Sequence, residues 1–269
     1  MSAEIHPTAV VDPKAVIDDG VEIGPLCVVG PDVKIGKGTK LLSQCSIMGD
    51  TILGEDNVIY PFVSLGGPAQ DYEFAGHVSY LKIGDRNTFR EGFTANCGTK
   101  AESETVIGNE CYFMANSHVA HNAVIGNNVI LVNDAMVAGY TAIGDRAILS
   151  GITAVHQFCR VGRLSMLGGC CAISKDLPPF MTCFSKNNTV RGLNIVGLKR
   201  NGYPKETIRA LKEVYRIFYA SHLNTTQALK RIESEIEQLS EVIEFVEFVR
   251  TSKRGVLSSH QRDTSAVND

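Results

Sequence analysis

IGPLCVVGPDVKIGKGTKLLSQCSIMGDTIL, residues Ile23 to Leu53, carries an aliphatic side chain at every sixth position: Ile23, Val29, Ile35, Leu41, Ile47 and Leu53. A helix returns its apolar face every 3.6 residues and a half-buried strand every second one, so neither pattern accounts for this spacing. The same frame extends backward to Ile5, Val11 and Ile17 and forward to Ile59, giving ten unbroken hexads. A second run holds the frame for twelve hexads from Ile107 to Ile173, and the fifth position is mostly small, as at Cys27, Thr39, Cys45, Cys111, Ser117, Ala123 and Ala135. Such a repeat reads as a parallel β-helix, a β-solenoid in which each hexad is a short strand and turn that buries its apolar face only when stacked. With three hexads to a triangular coil, residues 18 apart in sequence lie above one another at the strand spacing of about 4.8 Å.

Outward from the repeat, two segments break it, Gly66 to Leu81 and Thr99 to Glu104, and their polar, Gly and Pro content reads as loops thrown out from the stack. The pattern ends at Leu177-Pro178-Pro179, where proline cannot continue a ladder and is expected to close the open edge. Residues 1–178 are therefore expected to form the solenoid and residues 179–257 an α-helical C-terminal domain. Pro204 opens a helix with Ile208, Leu211, Val214, Tyr215 and Phe218 on one face. Thr225 or Thr226 is expected to cap a second helix carrying Leu229, Ile232, Ile236 and Leu239, with Val242, Phe245 and Val249 in a third amphipathic segment. The polar stretch 258–269 reads as a disordered tail.

Composition narrows the function classes. The 269 residues carry 26 basic and 29 acidic side chains, a net charge of -3, which gives no global field for nucleic acid or an anionic membrane. No apolar run reaches membrane-spanning length and residues 1–4 resemble no signal peptide, so a cytoplasmic address is expected. Of eight cysteines, Cys27, Cys45, Cys111, Cys159 and Cys171 take the small fifth position and read as core hydrophobes, not a disulfide framework. Cys97, Cys170 and Cys183 show no metal-ligand spacing, and neither a metal nor another cofactor is expected.

One column combines the elements of a reaction. His121, Gly139 and Gln157 are 18 residues apart, each at the third position of its hexad, which points away from the core. The register thus predicts that His121 is not a buried structural histidine, that its replacement leaves the fold untouched, and that His118 also faces outward. An imidazole with an ordinary pKa of ~6.5 can act as a general base near neutral pH. A glycine one coil above lets substrate approach the backbone and offers its N–H to a developing oxyanion. Together they suffice for acyl transfer onto a hydroxyl or amine.

The hexapeptide frame, the segments HVAHN (His118 to Asn122), TAVHQF (Thr153 to Phe158), DLPPF (Asp176 to Phe180) and GLNIVGLKRNG (Gly192 to Gly202), and the helical C-terminus resemble the bacterial UDP-N-acetylglucosamine acyltransferases that begin lipid A synthesis. The resemblance implies a left-handed coil, a homotrimer with active sites between subunits, an acyl carrier protein bearing a 3-hydroxyacyl chain as donor, and UDP-N-acetylglucosamine as acceptor. It makes His121 the base on the 3-hydroxyl and Gly139 the oxyanion amide. His118, Asp71 and Gln157 would contact sugar or acyl chain, Asn194 and Arg200 would hold the nucleotide, and Gly169 would lie at the floor of the acyl groove. The chain departs from the family's common residues at Glu73, Asn96, Cys97, Asn122, Tyr140 and Asn201.

Three other readings compete. Glu73, Tyr140 and Asn201 favour a divergent paralogue acylating an amino-sugar nucleotide or another acceptor. A zinc hydratase on the same coil needs three convergent histidines, and His118 and His121 have no matching third. A non-catalytic trimeric scaffold would leave loss of His121 silent.

Overall fold

The computed structural model describes residues 2–184 and 187–259. Successive strands of mostly two residues are dealt in rotation onto three sheets, of eleven, nine and eight strands among the described residues, parallel throughout except for the last strand of the first. The first sheet starts at Glu4–Ile5, the second at Val10–Val11 and the third at Val16–Ile17. Pairing is in register with the hexad frame: Ile5 lies beside Ile23, Val28 beside Ser46, and His118 beside Met136. Where the loops interrupt the repeat, the ladder absorbs them, since Val58 pairs with Thr88 and Thr88 with Tyr112.

First- and fifth-position side chains fill the prism. Cys27 and Cys45 are fully buried, as the register requires, and the middle of the stack is wedged by Phe89, Phe93 and Phe113, with ring centroids 4.8–5.0 Å apart. The starting coil has no neighbour below it, so Ile5 is 47% exposed although it keeps frame. Most sheet-to-sheet corners are turned by a residue in the left-handed region, including Leu26, Gln44, Asn122, Tyr140 and the β-branched Ile152, with φ between 51° and 59°. A β-branched residue there is strained. Corner hydrogen bonds to the coil below hold it, as when Ile152 N donates to Asn133 O.

The end of the stack differs from expectation. Pro178 and Pro179 do not terminate the first sheet. Ser165 Oγ donates to Pro178 O, and the ladder resumes at Met181–Phe184, which pairs with Met166–Leu167 and then with the antiparallel strand Thr189–Leu193. A hairpin therefore closes the edge, and the expected boundary after residue 178 falls just before its first strand.

Four helices follow: α1 (Ile195–Arg200), α2 (Lys205–Ala220), α3 (Thr225–Glu235) and α4 (Ser240–Arg250). Helix α1 had no counterpart in the sequence reading. Helix α2 starts after Pro204 and buries Ile208, Leu211, Val214 and Phe218. Helix α3 is capped by Asn224, not by Thr225 or Thr226, in a reciprocal capping box with Gln227. It ends before Ile236, and Leu239 begins α4 instead of continuing α3.

Val214, Phe218 and Phe245 join the same apolar core that fills the solenoid. Arg163 ties a coil corner to Glu244 of α4 and to the Tyr203 hydroxyl, while Arg160 bonds Asp176 and the Phe248 carbonyl. Of the tail read as disordered, Ser258 and Ser259 lie against the hairpin, with Val190 N donating to Ser258 O. Residues 260–269 lie outside the described residues.

Candidate active site

Outward side chains of the second sheet, His118, Met136, Ala154 and Ala172, line a shallow apolar floor, and the adjoining corner presents His121, Gly139 and Gln157. Together with Gln70 they enclose a groove of about 480 Å³. The two loops make it a groove. Residues 68–79 carry Gln70 and Asp71 over the corner, anchored where Cys97 N donates to Gly67 O, Asn96 Nδ2 to Pro68 O and Ser79 Oγ to Gly98 O.

This cover overturns one expectation. His121 does project from the prism, but it is only 2% exposed, because Asp71 and Thr99 close over it. Outward in the coil register is not the same as solvated. Its Nδ1 lies 2.7 Å from Thr99 Oγ1 and 3.2 Å from Asn122 Oδ1, its Nε2 lies 3.5 Å from Asp71 Oδ2, and Tyr140 meets the ring edge-on at 5.4 Å.

Gly139 sits against the imidazole. A β-carbon there would stand 2.6 Å from His121 Nε2, so only glycine leaves room for the ring. The Gly139 N–H has no acceptor among the described residues, and the same is true of the other third-position amides in this column, His121 and Gln157. His118 Nδ1 pairs with Thr94 Oγ1 at 2.7 Å. Burial pushes its pKa below the ordinary value, offset in part by the Thr94 hydrogen bond and reinforced by repulsion from His121.

The structure brings together His118, His121, Gly139 and Gln157, with Asp71 above them. It does not bring Gly169, Asn194 or Arg200 to the same place. Gly169 lies on the opposite rim of the second sheet, in the exposed corner leading into Ala172–Ile173. Asn194 is the N-cap of α1: its Oδ1 accepts from Gly197 N and its Nδ2 donates to Leu164 O, both at 2.9 Å. Its polar atoms are thus engaged in the fold. Arg200, in the last turn of α1, lines a separate groove of about 510 Å³ against the first sheet, with Arg146, Met166 and Phe184. Sequence reading missed Gln70 and Thr99. Both stand in segments legible only as breaks in the repeat.

Among the described residues, no three His, Cys, Asp or Glu side chains converge as a metal site would require, and no helix is long and apolar enough to cross a membrane.

Comparison with known proteins gives a consistent result. The family model described as UDP N-acetylglucosamine O-acyltransferase, domain 2, matches residues 176–257, and the bacterial transferase hexapeptide (six repeats) matches residues 104–139. The chain is 41% identical over 254 residues to the acyl-(acyl-carrier-protein)–UDP-N-acetylglucosamine O-acyltransferase of Thermodesulfovibrio yellowstonii, covering 94% of this chain and 98% of that protein. The solved UDP-N-acetylglucosamine acyltransferase of Bacteroides fragilis superposes with a TM-score of 0.92 at 40% identity, covering 94% of this chain and 99% of that one. That of Francisella novicida gives 0.92 at 36%, covering 97% and 96%.

Proposed function

The chain belongs to the UDP-N-acetylglucosamine O-acyltransferase family, a left-handed parallel β-helix with a helical C-terminus, and from that premise we propose how its own residues transfer an acyl chain. The reaction moves a 3-hydroxyacyl group from acyl carrier protein to the 3-hydroxyl of UDP-N-acetylglucosamine, the first step of lipid A synthesis. The observation that carries the residue assignment is the covered His121, whose Nε2 faces both Asp71 and the backbone of Gly139.

His121 Nε2 takes the proton of the acceptor hydroxyl as its oxygen attacks the thioester carbonyl. The carbonyl oxygen gains the negative charge and is met by the Gly139 N–H, which has no competing acceptor among the described residues. Collapse of the tetrahedral intermediate forms the ester and breaks the carbon–sulfur bond, and the imidazolium returns its proton to the departing thiolate. Asp71, 3.5 Å from Nε2, stabilises the imidazolium while it exists. His118, kept neutral by burial, and Gln157 present hydrogen-bonding groups along the floor.

Gly169, Asn194 and Arg200 sit on other faces of the same chain, so a complete site needs a second copy. A homotrimer with its sites between subunits supplies one, with Arg200 placing a guanidinium against the diphosphate and Gly169 leaving the acyl groove open. A cytoplasmic location fits a donor carried on acyl carrier protein.

The test is acyl transfer by purified protein with UDP-N-acetylglucosamine and a panel of 3-hydroxyacyl carrier proteins. His121→Ala should lower turnover by ~10²–10⁴-fold. Because the ring is buried and hydrogen-bonded, this variant should also lose about 1–3 kcal/mol of stability, not the silence that an exposed side chain would give. Near-normal turnover in that variant would remove His121 from the reaction.

A further inference from the structure

Thr99 opens the second loop and belongs to no hexad, yet it is almost fully buried and makes one contact with the base and another with its neighbour Asn122. Its backbone N–H donates to Asn122 Oδ1 at 2.9 Å. That bond fixes which end of the Asn122 amide faces the ring, since the NH₂ end could not accept it. The oxygen so oriented lies 3.2 Å from His121 Nδ1 and can only accept. A proton on Nδ1 has this oxygen and the Thr99 hydroxyl within reach at 3.2 and 2.7 Å, whereas the acceptor beside Nε2, Asp71 Oδ2, stands 3.5 Å away, so these distances favour Nδ1–H in the neutral ring. The Thr99 hydroxyl, 2.7 Å from the same nitrogen, then accepts from Nδ1–H and leaves Nε2 as the unprotonated atom facing Asp71.

We propose that Thr99 is the positioning residue of the base: through its amide and its hydroxyl it sets the imidazole tautomer that makes Nε2 competent. The inference rests on the acyl-transfer reading for its consequence, but its structural content, the tautomer, does not. The arrangement holds the ring between two neutral oxygens, with the nearby carboxylate, Asp71, on the side that receives the proton. With Nδ1 bonded only to neutral acceptors, the loss of one of them weakens the charged ring more than the neutral one.

Thr99→Val keeps the shape and the backbone N–H but removes the hydroxyl; Thr99→Ser keeps both. Thr99→Val should lower kcat on the order of tenfold, the worth of one neutral hydrogen bond, with little change in KM. It should also move the acidic limb of the kcat profile to lower pH, because the imidazolium loses an acceptor. Thr99→Ser should restore both. A loop that merely packed would change thermal stability without moving the limb. In the unmutated protein, nitrogen chemical shifts of His121 should report Nδ1–H. A resting Nε2–H tautomer, or a stable Thr99→Val with unchanged kcat and pH limb, overturns the proposal. If His121→Ala proves silent in the same assay while the Nδ1–H tautomer is seen, it is the acyl-transfer role of His121 that fails and not the tautomer assignment.

Discussion

One side chain of the groove shows how far burial sets chemistry. His118 projects from the coil, yet desolvation presses it below its ordinary pKa. In the unfolded chain it would titrate near ~6.5. Below that value the unfolded state binds the proton first, so this side chain makes stability fall with pH until its lower folded pKa is passed. His118→Asn should flatten that part of the curve, seen as denaturation midpoints that change less below about pH 6.5 than those of the unmutated protein. Gly139 acts by what it lacks. Gly139→Ala would force the His121 ring away from its place and should cost turnover on the order of 10²-fold, the scale of a displacement of about 1 Å, while the donor still binds. Equal kcat in Gly139→Ala would show that the ring has room to spare.

At the scale of elements, what was legible depended on whether neighbours in space were also neighbours in the repeat. The hexads state their own register, so the strands, the buried cysteines and the His121–Gly139–Gln157 column could all be located by counting. The cover over His121 could not, because Asp71 and Thr99 come from breaks in the frame and nothing periodic says where a break folds back. The same limit misplaced the helix start: Asn224 and Thr225 are equally good caps by composition, and only the Gln227 side chain reaching back to the Asn224 N–H decides between them. Asn224→Ala should therefore destabilise by ~1 kcal/mol, and Thr225→Ala by much less, in thermal or denaturant unfolding. The hairpin after Pro179 was hidden for a related reason. A proline pair marks where a ladder is interrupted, not whether it resumes.

For the whole molecule, the dispersal of the expected binding residues is the informative result. Asn194 and Arg200 border the first sheet, Gly169 one rim of the second and His121 the other. A resemblance assigns all of them to one reaction, and a single triangular prism cannot gather them. Light scattering at micromolar protein should give the mass of a trimer, and in that assembly Gly169→Met should shorten the preferred acyl chain while leaving the His121-dependent step intact. A monomer that is fully active would contradict both. The coil register also gives the chain a rotational phase. Beyond the loops, residues stack on the same face at intervals of 18, as in the pairing of His118 with Met136. Removing one intact hexad between His121 and Gly139 would keep every aliphatic residue pointing inward, yet it would turn everything beyond by a third of a revolution and set Asp145 over the imidazole. Removing three, which takes Gly139 itself, would restore the phase but put Gln157 there. The scaffold tolerates editing in sixes, whereas the reaction centre tolerates it in neither unit, so length changes near this corner are confined to the loops.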